Sequence, residues 1–194
     1  MPFWTGNPGN PFINALLLGY KLDNVSATSP ITYYLQNNAT ANWTAAEKAA
    51  AAAAVQSWAN VANVSFLEVN SAAQAQFVET HYTAPGGGTV ADHQTLTGDN
   101  TNTIVSRTLT PADPLIGRYD ANAQGWSAPG GLSVGGDGFV TLVHEIGHGL
   151  GFDHTHGDAA TDPHIFPGVT NDQSPGENNL NDILYSVMSY RRGP

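Results

Sequence analysis

The sequence predicts an α+β fold, in which a small twisted sheet packs against two helices and a loop-rich region follows. Three observations predict it: an alanine-rich segment after a helix-capping sequence, a later segment with the apolar stripe of a helix that covers a sheet, and short alternating segments separated by turn signals. With 194 residues, 41% of them hydrophobic, the chain is long enough for one domain with a sizeable core.

The first predicted elements are a short helix and a strand. Residues 12–20 carry apolar side chains at helical spacing, which predicts a helix with one buried side, formed by Ile13, Leu16, Leu17 and Tyr20. Residues 31–35 follow Pro30 and are rich in β-branched and aromatic side chains, so they form the first predicted strand.

A capping box predicts where the backing helix begins. In Thr44-Ala45-Ala46-Glu47, the Thr44 hydroxyl is expected to accept from a helix amide and the Glu47 carboxylate to reach back. The alanine run at 49–54 favours a packed helix over a disordered segment, because alanine has the highest helix propensity. The face that this helix buries is formed by Val55, Trp58 and Val61.

Three more strands and a second long helix complete the predicted core. The strands are 64–69, 76–82 and 104–109, with loops between them such as 85–88. Asp137 is predicted to cap a helix over 139–150, whose apolar residues pack on the sheet: Phe139, Leu142, Val143, Ile146 and Leu150. From Thr155 onward the sequence predicts little regular structure.

The second long helix runs into the sequence HEIGHGLGFDH, from His144 to His154. On a helix of 3.6 residues per turn, His144 and His148 project from one face and can bind the same cation. Gly151 tolerates a positive φ, which would end the helix and bring His154 to the same metal. The five fixed residues would occur by chance on the order of once in ten million starting positions. The alternative, histidines that only satisfy backbone carbonyls, is therefore disfavoured.

Three protein ligands leave one position of a tetrahedral zinc ion open, as in catalytic rather than structural sites. Glu145, next to the first histidine, is the predicted general base, because zinc lowers the pKa of a bound water to about 7. A non-catalytic zinc-stabilised binding module is the alternative, and Glu145 argues against it because a structural site has no use for a neighbouring acid. A hydrolase of a non-peptide bond is a second alternative.

A second motif follows downstream, Ser186-Val187-Met188-Ser189-Tyr190. Together with HExxHxxGxxH it resembles the metzincin clan of zinc endopeptidases, and most closely the serralysin-like branch, as do residues 13–21 and 43–69. The resemblance implies a secreted enzyme that hydrolyses polypeptides. It also implies that Met188 makes a tight turn beneath the zinc and that Tyr190 ligates the metal and helps to stabilise the transition state. A tyrosine packed in the core is the alternative for Tyr190.

The resemblance further implies one catalytic domain over 1–194, with a sheet-and-helix subdomain at 1–151 and a loop-rich subdomain with the Met-turn at 152–194. Serralysins usually carry proline where Thr155 follows the third histidine, and their catalytic domains continue into a helix and often a calcium-binding β-roll, whereas four residues follow Tyr190 here. No motif supports calcium, because Gly135-Gly136-Asp137-Gly138 occurs once and is better interpreted as a loop and helix cap.

Charge and composition exclude other classes of partner. Sixteen acidic against six basic residues give a net charge of −10, which disfavours binding to nucleic acid or anionic lipid. No apolar run reaches the roughly twenty residues of a membrane helix, and residues 1–9 lack the features of a secretory signal. We expect a monomer whose partners are polypeptide substrates.

Most of the four other histidines are expected at surface or loop positions: His81, His93, His156 and His164. Of these, His156 is the rival for the third ligand position, since it lies two residues beyond His154. The spacing of six residues from His148, with Gly151 midway, favours His154.

Overall fold

A five-stranded mixed sheet is the largest element of the chain, seen in a computed structural model that describes residues 9–39, 41–82, 90–96, 103–123, 125–157 and 164–193. In order across the sheet, the strands are β3 (Phe66–Glu68), β2 (Ile31–Gln36), β4 (Phe77–Tyr82), β7 (Leu115–Asp120) and β5 (Ala91–His93). The edge strand β5 pairs antiparallel with β7, whereas the other four strands are parallel. The α+β fold predicted from the sequence is confirmed.

Helix α2 (Ala45–Ala59) begins with the predicted capping box. The Thr44 hydroxyl accepts from the Glu47 amide at 3.2 Å, and the Glu47 carboxylate accepts from the Thr44 amide at 2.7 Å. The buried face of the helix consists mainly of small side chains, which allow a close approach to its neighbours: Ala50, Ala51, Ala54 and Val55.

Helix α3 (Asp137–Gly149) packs against α2 and contacts β5 and β7. Its predicted apolar stripe is buried at Phe139, Leu142 and Ile146. The indole N–H of Trp58 in α2 donates to the Val143 carbonyl oxygen of α3 at 2.9 Å. The two helices are therefore joined by a hydrogen bond as well as by apolar packing.

The chain forms two compact units. The five-stranded sheet, α2 and α3 lie in the first unit, formed by the described residues of Leu22–Thr95 and Thr108–Gly149. The second unit comprises the described residues of Met1–Lys21, Leu96–Arg107 and Leu150–Pro194. It contains α1 (Pro11–Ala15) and a small apolar cluster formed by Phe12, Ala15, Leu16, Phe166, Val169 and Leu180.

Several elements are shorter than the sequence patterns predicted. The predicted helix 12–20 ends at Ala15, because the chain then extends into β1 (Tyr20–Leu22), and Ile13 is 45% exposed rather than buried. Val61 follows the end of α2 and is 79% exposed, so it does not belong to the buried face. Asp137 is the first residue of α3 rather than its cap.

The predicted strands 31–35 and 76–82 are confirmed as β2 and β4, and 64–69 shortens to β3. Residues 104–109 contain β6 (Val105–Arg107), which pairs with β1 in a separate two-stranded sheet instead of joining the main one. Strands β1, β5 and β7 were not predicted. The predicted loop at 85–88 lies outside the described residues, and none of the described helices is long and apolar enough to cross a membrane.

The capping box provides a direct test of how α2 is stabilised. Thr44→Ala should lower the free energy of unfolding by about 1 kcal/mol, because the Glu47 amide loses its acceptor. Thr44→Ser keeps the hydroxyl and should stay close to wild type. Urea denaturation of the three proteins measures the difference, and equal losses in both variants would contradict a role for the hydroxyl.

Candidate metal centre and its surroundings

Two of the predicted ligands face each other on the last turns of α3. The Nε2 atoms of His144 and His148 lie 3.1 Å apart, and their rings are nearly perpendicular. Two nitrogens that bind one tetrahedral zinc ion at 2.0 to 2.1 Å lie about 3.3 Å apart, so this separation fits a shared zinc ion. His144 is buried and His148 half-buried, which keeps the pair partly shielded from water.

The third predicted ligand follows a turn at Gly151. This residue has φ of +101°, as the motif predicted, and a side chain there would be strained and would press against the Tyr20 ring. His144, His148 and His154 each offer one nitrogen, and these atoms lie within 4.8 Å of one another. Among the described residues this is the set of three or more such side chains close enough to hold a metal ion, and three imidazoles suit zinc.

Glu145 is buried beside the first histidine. Burial raises the pKa of its carboxyl to about 8, and the negative charges of Asp92 and Glu79 act in the same direction. The nearby His93 acts in the opposite direction. A cation bound beside Glu145 would favour the ionised form, which is the form that a general base requires.

A buried polar network, which no sequence pattern indicated, lies where α3 meets the sheet. The Glu79 carboxylate of β4 accepts from the Tyr119 hydroxyl at 2.9 Å, and its other oxygen lies 3.2 Å from His93 Nε2. The second ring nitrogen of His93 is 2.7 Å from the Gln94 carbonyl oxygen. Burial alone would lower the pKa of His93, but Glu79 and these hydrogen bonds raise it.

The predicted surface or loop position is wrong for His81 and His93, which are buried in strands, whereas His164 lies in a loop and is buried there. The His81 ring lies over Trp43, with centroids 4.4 Å apart, and its Nε2 is 3.5 Å from a Glu47 oxygen. His81 and His93 each have a carboxylate and an aromatic ring beside them, which lowers the cost of burying the imidazole. Their partners are distant in sequence, so no local pattern reveals them.

The downstream motif forms a tight turn. Met188 is almost fully buried, its amide donates to the Ser186 hydroxyl at 3.2 Å, and the Ser189 amide donates to the Ser186 carbonyl at 3.0 Å. Tyr190 is 50% exposed, which argues against the core-packing alternative. Its ring lies 4.6 Å from that of His154, centroid to centroid. The structure therefore brings the predicted tyrosine next to the third predicted ligand.

Asn181, a residue that sequence reasoning did not single out, connects the segments that carry His154 and Tyr190. Its side-chain oxygen accepts from the Thr155 hydroxyl at 2.5 Å and from the Ser189 hydroxyl at 2.7 Å. Its amide nitrogen donates to two backbone carbonyls, those of Asp172 and Ser174. All the hydrogen-bonding groups of this buried side chain are thus used, which fixes three loop segments without regular structure.

An ion pair closes the loop around the turn at Met188. The Asp182 carboxylate accepts from the Arg191 guanidinium at 2.7 Å, and the Ile183 amide donates to the Arg191 carbonyl oxygen at 2.9 Å. Both charged side chains are largely buried, so solvent screens this pair less than a surface pair. The loop from Asp182 to Arg191 is therefore held at both ends.

Comparison with known proteins identifies similar chains. The family model of the matrixin peptidases matches residues 25–175. Serralysins from Photorhabdus luminescens and Photorhabdus laumondii are each 32% identical, over 74% and 75% of this chain respectively. An astacin-like metalloprotease toxin from Loxosceles gaucho is 31% identical over 38% of the chain and 40% of its own length. The matched regions cover 26% and 27% of the two serralysins, so the chain spans about a quarter of their length. These matches confirm the resemblance inferred from the two motifs.

The hydrogen bonds of Asn181 predict a large effect on stability. Asn181→Ala should lower the free energy of unfolding by about 2 to 4 kcal/mol, because buried hydroxyls and carbonyls lose their partners. Gln173→Ala, at an exposed position in the same region, is the control and should stay within about 0.5 kcal/mol of wild type. Urea denaturation checks both values. Similar losses for the two variants would show that Asn181 does not hold these loops.

Proposed function

Because the chain belongs to the matrixin family of peptidases, we propose that it is a zinc-dependent endopeptidase that hydrolyses internal peptide bonds. The observation that carries the proposal is the group of three imidazoles together with the buried carboxylate of Glu145, which directly follows the first of them on α3. A site that served only to hold the fold together would have no use for this acid.

The proposed roles follow from the position of each side chain. His144, His148 and His154 would hold the zinc ion, each through one ring nitrogen. Zinc, when bound, supplies a Lewis acid that polarises the scissile carbonyl and increases the acidity of water. Glu145 accepts a proton from the attacking water and passes it to the leaving amine. Tyr190 donates its hydroxyl hydrogen to the carbonyl oxygen as negative charge develops there.

The substrate is proposed to be an extended polypeptide that pairs with the edge strand β5. Strand β5 lies at the end of the sheet, and its residue His93 lies against the last turn of α3 at Gly149. An added strand would gain main-chain hydrogen bonds irrespective of its side chains. The net charge of −10 favours solubility and disfavours anionic partners. Secretion and a monomeric state are further parts of the proposal, the first by resemblance to serralysins.

Replacing Glu145 tests whether the site is catalytic or structural. Glu145→Gln keeps the size of the side chain, so zinc content and melting temperature should remain unchanged. Hydrolysis of casein should fall by about 10²- to 10⁴-fold, since a general base contributes this much to the rate. Elemental analysis measures the zinc content. Casein hydrolysis is measured in the presence and in the absence of a chelator.

The matched control is Glu177→Gln, which makes the same change at an exposed glutamate and should retain full activity. A wild-type protein that binds zinc but never cleaves casein would favour the non-catalytic module. Chelator-sensitive cleavage that survives in Glu145→Gln would contradict the role of Glu145 while leaving the peptidase assignment intact.

Replacing Tyr190 tests the proposed hydroxyl donor. Tyr190→Phe should lower kcat by about 10²-fold with little change in KM or zinc content, because the lost hydrogen bond is formed in the transition state. Tyr185→Phe removes a hydroxyl from another exposed tyrosine of the same loop and should not change kcat. Steady-state kinetics on a fluorogenic peptide distinguish the two variants, and equal kcat values in both would leave Tyr190 without a catalytic role.

A further inference from the structure

Three aromatic rings form a closed triangle around the third histidine. The ring centroids of His154 and His156 are 4.9 Å apart and their planes differ by 12°, so the rings are stacked. The Tyr190 ring is inclined to both, with centroids 4.6 Å from His154 and 4.7 Å from His156. His156 therefore contacts the proposed third ligand and the proposed hydroxyl donor at the same time.

A turn folds His156 back over His154. The Gly157 amide donates to the His154 carbonyl oxygen at 3.2 Å, and Gly157 has a positive φ of 56°. Thr155, between the two histidines, is fully buried and forms three hydrogen bonds. Its hydroxyl donates to the Asn181 side chain, its amide donates to the Met188 carbonyl, and its carbonyl accepts from the Phe166 amide. The backbone of the turn is thus fixed by groups other than the His156 ring.

The stacked geometry argues against His156 as a ligand of the same metal. An imidazole binds a metal along the lone pair of a ring nitrogen, which lies in the ring plane. Two stacked rings with nearly parallel planes direct their nitrogens side by side and do not converge on one ion 2.0 to 2.1 Å away. The group of described residues whose ligand atoms converge contains His154 and not His156.

We propose that His156 is a positioning residue, whose ring holds His154 and Tyr190 in the orientation that the zinc site requires. The proposal rests on the zinc site of the proposed function. A stacked ring limits rotation of the His154 side chain, so less conformational freedom is lost when the metal binds. Because the same ring contacts Tyr190, it also keeps the tyrosine beside the ligand. Aromatic contacts of this kind change binding constants by about three- to tenfold.

The experiment compares two replacements of His156 that have similar volume but differ in shape. His156→Phe keeps a planar ring that can stack, whereas His156→Leu fills the space without one. The dissociation constant of Zn²⁺ is measured for each by competition with a chromogenic chelator, with the melting temperature of the metal-free protein recorded in parallel. His154→Ala provides the value expected when a ligand is lost.

His156→Leu should weaken Zn²⁺ binding about three- to tenfold, and His156→Phe should restore most of the wild-type affinity. Both metal-free variants should melt close to wild type, because the turn backbone is held by Asn181, Met188 and Phe166. His154→Ala should weaken binding by at least about 10²-fold, the loss typical of a removed ligand or its orienting partner.

Four outcomes would overturn the proposal. Equal affinity in wild type and His156→Leu means that the ring positions nothing. Equal weakening in His156→Leu and His156→Phe means that stacking is not the cause. A loss in both as large as in His154→Ala makes His156 a ligand. A metal-free melting temperature that falls in parallel with the affinity makes its role structural only. Zinc binding without peptide hydrolysis in wild type would overturn the proposed enzyme alone, since the affinity comparison does not depend on activity.

Discussion

The close contact between the last turn of α3 and the sheet is the constraint on which the histidine pair depends. A Cβ atom at Gly149 would lie 2.6 Å from the His93 ring and 2.8 Å from the Phe77 ring, so only glycine allows the helix to approach this closely. The His93 ring is held by Glu79 and by the Gln94 carbonyl. Since His148 directly precedes Gly149, the depth at which α3 lies on β4 and β5 sets the position of the His148 side chain.

Polar side chains lie at this contact, and their mutual hydrogen bonds limit the free-energy cost of burying them. Both oxygens of Glu79 have partners, Tyr119 and His93, and a side chain at Gly117 would overlap the carboxylate. A buried charge with such partners is tolerated, whereas removing one partner leaves the other unsatisfied. Glu145 shares this environment: the charge of Glu79 raises the pKa of its carboxyl, and that of His93 lowers it. The network thus affects the proposed general base electrostatically as well as supporting its helix.

Local features were predictable from sequence because their causes are local. The capping box at Thr44, the ligand spacing on α3 and the positive φ of Gly151 each depend on a few neighbouring residues, and all three appear in the structure. Strand pairing depends on distant segments. This explains why no strand was predicted at β7, although it lies between β4 and β5 and pairs with both. The positions of the buried histidines were predicted wrongly for the same reason: His93, for example, pairs with Glu79 on another strand.

In the second unit, His154 and Tyr190 lie on loops, because its described residues after Gly149 form almost no regular structure. Helices and sheets fix a backbone through repeated main-chain hydrogen bonds. In these loops, hydrogen bonds and an ion pair between side chains fix the backbone instead. Asn181 joins segments that are 26 and 8 residues away in sequence, and Asp182 pairs with Arg191 across the turn at Met188. Each such bond excludes the alternative positions that a loop would otherwise adopt. A loop held at its base in this way can present a half-exposed ring such as Tyr190 in a defined orientation, and the role proposed for its hydroxyl requires such an orientation.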